Sequence, residues 1–247
     1  MRPHERPEIR RLPLFRNMSE DSFDALMRVA YAQTFPPQLT MIEQGRTADF
    51  LHIVVEGSVE LYASWKQRET TMSVVLPYGT FILAACIKDV PYLMSARTLE
   101  HSRIILIPAV DLRSVFRQDP EFAVSTIEEL ATCYRAMVRH AKNLKLRTAR
   151  ERLAAYLLHQ SSVNGDAPGF TLPVEKRLLA SHLGMTPENL SRAMKSLIED
   201  GAKADGNRII ITNRERLTAL AGPDPLIDSS DILIGEPGAE AARSVQG

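Results

Sequence analysis

The sequence predicts an α+β protein in three parts: an antiparallel β-roll of the jelly-roll kind, a long helix, and a C-terminal winged helix-turn-helix. Three observations predict this fold. Short runs rich in β-branched and aromatic residues, separated by turn residues, fill residues 39–107. A long helical repeat of apolar residues follows Asp119-Pro120. Two short amphipathic segments then flank Gly184, and a strand follows them.

Length and composition are those of a globular protein with more than one domain. The chain has 247 residues, of which 45% are hydrophobic and 24% charged. We expect a cytoplasmic protein without a membrane partner, because the start is polar and no apolar run is long enough to span a bilayer. Cys86 and Cys133 have no metal-binding spacing, so we predict no metal site.

The first part begins with a helix and continues as strands. Ser19 is a suitable N-cap for a helix that we expect to reach about residue 35, where Pro36-Pro37 ends it. A tight turn at Gly57 separates two of the following strands, which favours an antiparallel roll that encloses a ligand. The predicted strands are 40–42, 50–56, 58–63, 70–76, 94–98 and 102–108.

The helix after Pro120 carries an apolar seam at spacings of three and four residues. Such a seam packs either on the core of its own chain or on a second copy, and its unusual length favours a dimer interface. The predicted interface residues are Ile127, Leu130, Tyr134, Met137, Ala141 and Leu144.

The two segments around Gly184 have the features of a helix-turn-helix. Gly184 tolerates the left-handed conformation of a sharp turn, Thr186 can cap the second helix, and Pro187 fits its first position. Apolar residues on both helices are spaced to face a common core. These residues are Leu179, Ala180, Leu183, Leu190, Ala193, Met194 and Leu197.

The outer face of the second helix has the side chains that read DNA bases. Arginine can contact guanine in the major groove, while carboxylates and amides can read cytosine and adenine. Residues 142–222 also carry thirteen Lys or Arg against eight Asp or Glu. An ordinary helical hairpin with a solvated face is the alternative. The predicted DNA-binding residues are Thr186, Glu188, Asn189, Ser191, Arg192 and Lys195 on the second helix, with Arg177 on the first.

From Arg10 to about Gly222 the sequence resembles the CRP/FNR superfamily of transcription regulators. The similarity includes the segment V-V-E-G-S-V-E-L and the E-N-L-S-R run at 188–192, which matches the Glu-x-x-Ser-Arg signature of the FNR-type recognition helix. The resemblance implies a cyclic-nucleotide-binding-like β-roll, a homodimer, palindromic sites with TTGA-type half-sites, and activation together with RNA polymerase. Arg192 and Glu188 would then read the G·C pair and Ser191 a thymine. The segments F-I-L-A-A and Y-L-M-S-A-R also resemble the FtrB-type subgroup.

With this resemblance the chain divides into four parts. They are a β-roll sensor domain over 1–118, a dimerisation helix over 119–148, a winged helix-turn-helix domain over 149–222, and a flexible acidic tail over 223–247.

The sensor domain lacks the phosphate-binding residues of the cyclic-nucleotide-binding relatives. Leu83-Ala84 stand where those proteins have Gly-Glu, and Leu93 or Met94 precedes Ser95 where the phosphate-binding Arg is expected. An anionic phosphate would lack compensation there, so binding of cyclic AMP is disfavoured. The candidate effector pocket consists of Phe81, Leu83, Ala84, Cys86, Leu93, Met94, Ser95 and Arg97.

Other signals stay open at this point. The N-terminal cysteine cluster of FNR is absent, which excludes its iron–sulfur centre. Haem is conceivable with Cys86, His52, His101 or His4 as axial ligands, and a redox signal or an apolar ligand is also compatible with the sequence. No catalytic pattern supports an enzyme. The alternatives are a cAMP-responsive regulator and a regulatory protein-binding module that does not bind DNA.

Overall fold

The computed structural model describes residue 2 and residues 4–228. The chain forms two compact units, the first extending to Tyr134 and the second beginning at Arg135. Among the described residues, no helix is both long and apolar enough to cross a membrane.

The first unit contains a β-roll with short helices around it. Its helices are α1 (Glu5–Arg10), α2 (Glu20–Val29), α3 (Leu83–Lys88) and α4 (Ala109–Gln118), followed by the first half of α5 (Pro120–Leu146). Its strands are β1 (Tyr31–Phe35), β2 (Thr40–Ile42), β3 (Phe50–Glu56), β4 (Val59–Trp65), β5 (Arg68–Val75), β6 (Thr80–Phe81), β7 (Ser95–Thr98) and β8 (Ser102–Pro108).

The strands form two four-stranded antiparallel sheets, as predicted for a roll. Their orders are β1-β8-β3-β6 and β2-β7-β4-β5, so β1 and β2 are edge strands of different sheets. Fully buried residues such as Leu51, Ile53 and Ile105 belong to one core that also includes Phe15 and Phe122. Burial of this core is the main favourable contribution to the stability of the unit.

The predicted strands lie within two residues of the observed ones, but the N-terminal helix is shorter than predicted. Ser19 caps α2 as expected, since its side chain accepts a hydrogen bond from the Ser22 N–H at 3.3 Å. The helix ends at Val29, and Tyr31–Phe35 instead forms β1 beside β8. Pairing with β8 supplies the hydrogen bonds that decide this segment in favour of a strand.

The start of α5 is fixed by Asp119. Its carboxylate accepts hydrogen bonds from the Phe122 N–H at 3.0 Å and from the N–H and hydroxyl of Ser19 at 2.9 and 2.7 Å. Burial alone would raise the pKa of Asp119, but these hydrogen bonds to the charged form lower it to about 2. Asp119 therefore joins the starts of α2 and α5.

The second unit is a helical domain with a small sheet. Beyond the C-terminal half of α5, its helices are α6 (Ala149–Val163), α7 (Lys176–His182), α8 (Pro187–Ser196) and α9 (Arg214–Ala221). Its strands are β9 (Gly169–Thr171), β10 (Ala202–Asp205) and β11 (Arg208–Ile211), in the order β10-β11-β9. Thr148 and Glu151 form a capping box at the start of α6. The core includes Leu157, Leu179, Leu190, Leu197, Ile209 and Leu217.

The beginning of the predicted tail is held in place. Asp228 accepts two hydrogen bonds from the Arg147 guanidinium at 2.5 and 2.6 Å, and Lys142 donates to the Leu226 carbonyl at 3.2 Å. The flexible tail predicted for 223–247 therefore does not begin at 223, because the buried guanidinium of Arg147 binds this segment. Residues 229–247 lie outside the described part.

Candidate DNA-binding site

The turn between α7 and α8 has the predicted geometry. Gly184 has a φ of +65°, and a Cβ placed there would lie 2.7 Å from Leu144 Cδ2. Thr186 caps α8 by accepting a hydrogen bond from the Asn189 N–H at 3.3 Å, and Pro187 is the first helical residue. The two helices are thus joined by a short turn in which any larger residue would be strained.

One side of α8 is buried and the other is exposed, as the sequence indicates. Leu190, Ala193 and Met194 are buried, and Leu197 follows them into the same core. All seven residues predicted to bind DNA are exposed. These residues are Arg177, Thr186, Glu188, Asn189, Ser191, Arg192 and Lys195.

The exposed residues near the start of α8 form a local hydrogen-bonded group. Arg192 donates to the side-chain oxygen of Asn189, and the Ser191 hydroxyl donates to the Pro187 carbonyl at 2.9 Å. A side-chain hydrogen bond with Thr186 lowers the pKa of Glu188, and the nearby charge of Arg192 lowers it further. Glu188 is therefore a carboxylate at neutral pH and can accept a hydrogen bond from a base.

Arg152 is a buried residue that hydrogen-bonds to the turn between α7 and α8. Its role there was not predicted from the sequence. Its guanidinium donates to the Leu183 carbonyl at 2.8 Å and to the Arg147 carbonyl at 2.6 Å. These bonds join the end of α7 to the segment between α5 and α6, and they satisfy carbonyls that a helix end leaves without partners. The Arg-Glu-Arg pattern at 150–152 reads as a solvated helix start, so nothing in the sequence indicated this burial.

The strands on either side of the turn between β10 and β11 carry further cations. Lys203 of β10 and Arg208 of β11 are exposed, and the neutral Asn207 is exposed in the turn between the strands. The sequence predicts a wing here but predicts no contacts for it. Exposed cations on such a wing can contact phosphates, because these contacts need charge but little geometry.

Most of the apolar seam of α5 is exposed in the single chain. The exposed fractions of Ile127, Tyr134 and Met137 are 60%, 70% and 66%. Ala141 and Leu144 are exposed as well, whereas Leu130 is half-buried and packs against the core of the first unit. This exposed apolar seam is the surface for which the sequence predicts a dimer interface.

His140 of α5 stacks on a buried residue of α7. Its ring lies 4.9 Å from that of His182, centroid to centroid. Burial, with a contribution from nearby His140, lowers the pKa of His182 to about 3. Both rings are therefore neutral at physiological pH, and the contact is a packing contact.

The residues predicted for the effector pocket differ in their surroundings. Phe81, Leu83 and Cys86 are buried in the core, and Met94 packs against it. Burial raises the pKa of the Cys86 thiol to about 12, which makes it a poor nucleophile and a poor redox centre.

Leu93 and Ala84 were also predicted for the effector pocket, but both are exposed, Leu93 to 82%. Leu93 faces outward since the preceding Tyr92 turns inward and accepts a hydrogen bond from the Asp49 N–H at 3.2 Å.

Ser95 and Arg97 are engaged within the sheet that contains β7. The Ser95 hydroxyl accepts a hydrogen bond from the Gln44 N–H at 3.0 Å. Arg97 lies 2.6 Å from the carboxylate of buried Glu60 and 3.1 Å from that of Glu69, above the Tyr62 ring. The charge of Arg97 is therefore compensated by the chain itself.

The residues considered as haem ligands differ in their exposure. His52 and Cys86 are buried, whereas His4 and His101 are exposed. Among the described residues, no group of three or more His, Cys, Asp or Glu is placed to hold a metal ion.

Comparison with known proteins matches both units. Residues 32–119 match the cyclic nucleotide-binding domain family, and residues 151–220 match the Crp-like helix-turn-helix domain family.

Similar proteins extend these matches over most of the chain. A relative from Lacticaseibacillus casei, named as transcriptional regulator flp, is 24% identical over 213 residues, which cover 85% of this chain and 96% of the relative. The transcriptional activator protein FnrL of Cereibacter sphaeroides is 26% identical over 210 residues, covering 81% and 84%. The solved structure of FixK2 from Bradyrhizobium japonicum has the same fold, with a TM-score of 0.66 at 24% identity, covering 78% of this chain and 97% of that one.

Proposed function

Because the chain is a DNA-binding transcription regulator of the Crp/Fnr type, we propose that it binds palindromic TTGA-like half-sites as a homodimer and activates transcription in response to a signal other than a cyclic nucleotide. The observation that carries the proposal is the exposed start of α8, where Glu188, Ser191 and Arg192 lie on one capped helix.

The proposed base contacts follow from the chemistry of these side chains. The Arg192 guanidinium matches the two acceptors of guanine, and the Glu188 carboxylate accepts from the amino group of the paired cytosine. The hydrogen bonds that Arg192 and Ser191 make within α8 are exposed and local, so DNA can replace them. Lys195 and Arg177 would contribute phosphate contacts, which position the helix in the groove.

The proposed homodimer is supported by the exposed seam of α5. Packing of Ile127, Tyr134 and Met137 against a second copy would remove large apolar side chains from water. A two-fold axis would then place two recognition helices about 34 Å apart, which matches successive turns of the major groove on one face of DNA.

The proposal of a non-nucleotide signal is supported by the ion pairs of Arg97. Arg97 is compensated by Glu60 and Glu69, and the apolar Leu83 stands at the expected phosphate contact. A cyclic phosphate would have to break an existing ion pair or remain without a cation. Of the signals that the sequence leaves open, the burial of Cys86 disfavours a thiol redox switch and favours a small apolar ligand over it.

A mobility-shift titration on a TTGA palindrome tests the DNA assignment. Arg192→Ala should weaken specific binding by about 1 to 3 kcal/mol, because a bidentate guanine contact is lost. Arg28→Ala, which removes an exposed cation from α2 of the first unit, is the matched control and should bind like the wild type.

Two outcomes would contradict the proposal. Equal loss of affinity for the palindrome and for a scrambled duplex in Arg192→Ala would show a phosphate contact and no base reading. Absence of a salt-dependent shift in the wild type would support a protein-binding module instead. Transcription in vitro with RNA polymerase tests the activator role, since a repressor would lower the product yield from a palindrome-bearing promoter.

A further inference from the structure

Two residues join α5 to the first helix of the DNA-binding domain. The helix α5 ends at Leu146, α6 begins at Ala149, and the N-cap Thr148 between them has an extended backbone with φ −67° and ψ 164°. A terminal residue of this kind is where a hinge can absorb a change of direction. The direction of α5 relative to the domain therefore depends on the contacts that its last turns make.

The side chain of Arg147 contacts the end of α9 and the segment that follows it. Its guanidinium donates to the Gly222 carbonyl at 3.0 Å and to the two carboxylate oxygens of Asp228 at 2.5 and 2.6 Å. Burial alone would raise the pKa of Asp228, but hydrogen bonds from Arg147 and from the Asp224 N–H lower it. Asp228 is therefore ionised at neutral pH, and a bidentate ion pair of this kind is both strong and specific in geometry.

The main chain of Arg147 is held by a second guanidinium. Arg152 donates to the Arg147 carbonyl at 2.6 Å and to the Leu183 carbonyl, at the end of α7, at 2.8 Å. The ring of His182 in α7 also stacks on that of His140 in α5. The last turns of α5 are therefore held from two sides, by the end of α7 and by the segment after α9.

The recognition helix α8 belongs to the same packed domain as these contacts. Leu179 of α7 and Leu190 of α8 are buried in one core with Leu157 of α6. The direction in which α5 leaves this core therefore fixes the angle between α5 and α8. Ala141 and Leu144 of α5 belong to the seam proposed for the dimer interface, so in the dimer this angle determines the distance and the rotation between the two recognition helices.

We propose that Arg147 and Asp228 are positioning residues that set the half-site spacing at which the protein binds DNA. They act through the direction of α5 and not through contacts with DNA. One added base pair moves a half-site by about 3.4 Å along the duplex and by about 34° around it, so a rigid dimer should accept one spacing and reject its neighbours. The inference rests on the proposed homodimer and the proposed palindrome.

Fluorescence anisotropy on four duplexes tests the role of the pair. The first carries two TTGA half-sites at the spacing that the wild type prefers, the second and third have one base pair more or less between them, and the fourth has the G·C pair of each half-site replaced. The wild type should bind the second and third duplexes at least about tenfold more weakly than the first.

Asp228→Asn should reduce this spacing preference to less than about threefold, because an amide accepts through one oxygen and turns an N–H toward the other guanidinium nitrogen. Its loss of affinity on the fourth duplex should equal that of the wild type, since α8 is unchanged. A change that only destabilises the domain would weaken binding to the first three duplexes by one factor and leave the preference as it is. An unchanged spacing preference in Asp228→Asn would therefore overturn the proposal.

Asp166→Asn is the matched control. Asp166 also forms an ion pair with an arginine of the same domain, 2.6 Å from Arg214, but both residues lie outside α5. This variant should retain the spacing preference of the wild type. Equal loss of the preference in Asp166→Asn and Asp228→Asn would show a general effect of removing an ion pair from the domain, and would refute the positioning role.

A double variant keeps the test decisive if Asp228→Asn does not fold. Arg147→Met combined with Asp228→Leu removes the pair without leaving either charge alone, a replacement that folded proteins often tolerate. It should lose the spacing preference in the same way. A preference of about tenfold that persists in this variant would overturn the inference.

Sedimentation equilibrium on the same samples separates this inference from the proposed function. A dimer that discriminates the TTGA half-sites but keeps its spacing preference in both variants would refute the role of Arg147 and Asp228 alone. A wild type that binds the three spacings equally would do the same. A monomer that binds single half-sites would refute the homodimer and this inference together.

Discussion

Gly184 is the residue of the turn between α7 and α8 whose substitution should destabilise the protein most. Gly184→Ala should lower the free energy of unfolding by about 1 to 2 kcal/mol, because the new Cβ is strained at φ +65° and must displace the exposed end of the Leu144 side chain. Gly206→Ala is the matched control, since Gly206 has a φ of +57° with open space around it. It should cost about 1 kcal/mol. Urea unfolding measures both, and equal losses would show that the contact with Leu144 is unimportant.

At this scale the sequence predicts local chemistry well and distant pairing poorly. The Thr186 cap, Pro187 and the exposure of Arg192 follow from neighbouring residues, and the structure shows all three. The pairing of Arg97 with Glu60 and Glu69 depends on strands far apart in the sequence. The face of the sheet on which Arg97 lies could not be decided from the alternation of side chains along one strand.

At the scale of the element, Asp119 makes the anchoring of α5 dependent on pH. Its pKa falls from the ordinary value of 3.8 to about 2 on folding, so the charged form contributes stability above pH 4 that is lost as the pH falls toward 2. Asp119→Asn should therefore cost about 1 to 2 kcal/mol near neutral pH.

Urea unfolding as a function of pH checks this expectation. The difference between wild type and Asp119→Asn should narrow from pH 5 to pH 2.5, whereas Asp21→Asn in α2 should change neither the stability nor the pH slope measurably. A difference in stability that stays constant with pH would mean that the negative charge of Asp119 does not contribute.

The elements missed from the sequence are those decided by tertiary contacts. The helical pattern of α2 runs on into Tyr31–Phe35, and only pairing with β8 makes that segment a strand. The short helix α3 begins after Ile82, which has a left-handed φ of +70° that no local sequence signal indicated. Long segments with a clear period, such as α5, were predicted closely.

At the scale of the whole molecule, the exposed seam of α5 predicts the oligomeric state. Met137→Glu should convert the proposed dimer into a monomer, because a charge would be buried in the proposed interface. Val110→Glu is the matched control, as Val110 is 65% exposed on α4 outside the seam. Sedimentation equilibrium measures the change, and a dimer of unchanged affinity in Met137→Glu would place the interface elsewhere.

The order of domains could be predicted from the sequence, but a cleft beside β1 and β2 could not. A change of period marks the start of the long helix α5, because period depends on local side-chain direction. The two units divide inside α5, between Tyr134 and Arg135, where the period does not change. The cleft gathers residues from Gln33 to Leu106, and its existence depends on how two sheets diverge at their edges. The ligand contacts predicted from the sequence therefore lie on the segments nearest the family motif.

The ion pair between Arg147 and Asp228 limits where the chain can be shortened. A stop codon placed directly after α9, where the helical pattern ends, would remove the carboxylate that neutralises a guanidinium whose side chain is 7% exposed. The truncated product would keep every helix and strand of the second unit and still carry an uncompensated buried cation. A shortened form of this domain should therefore end after residue 228.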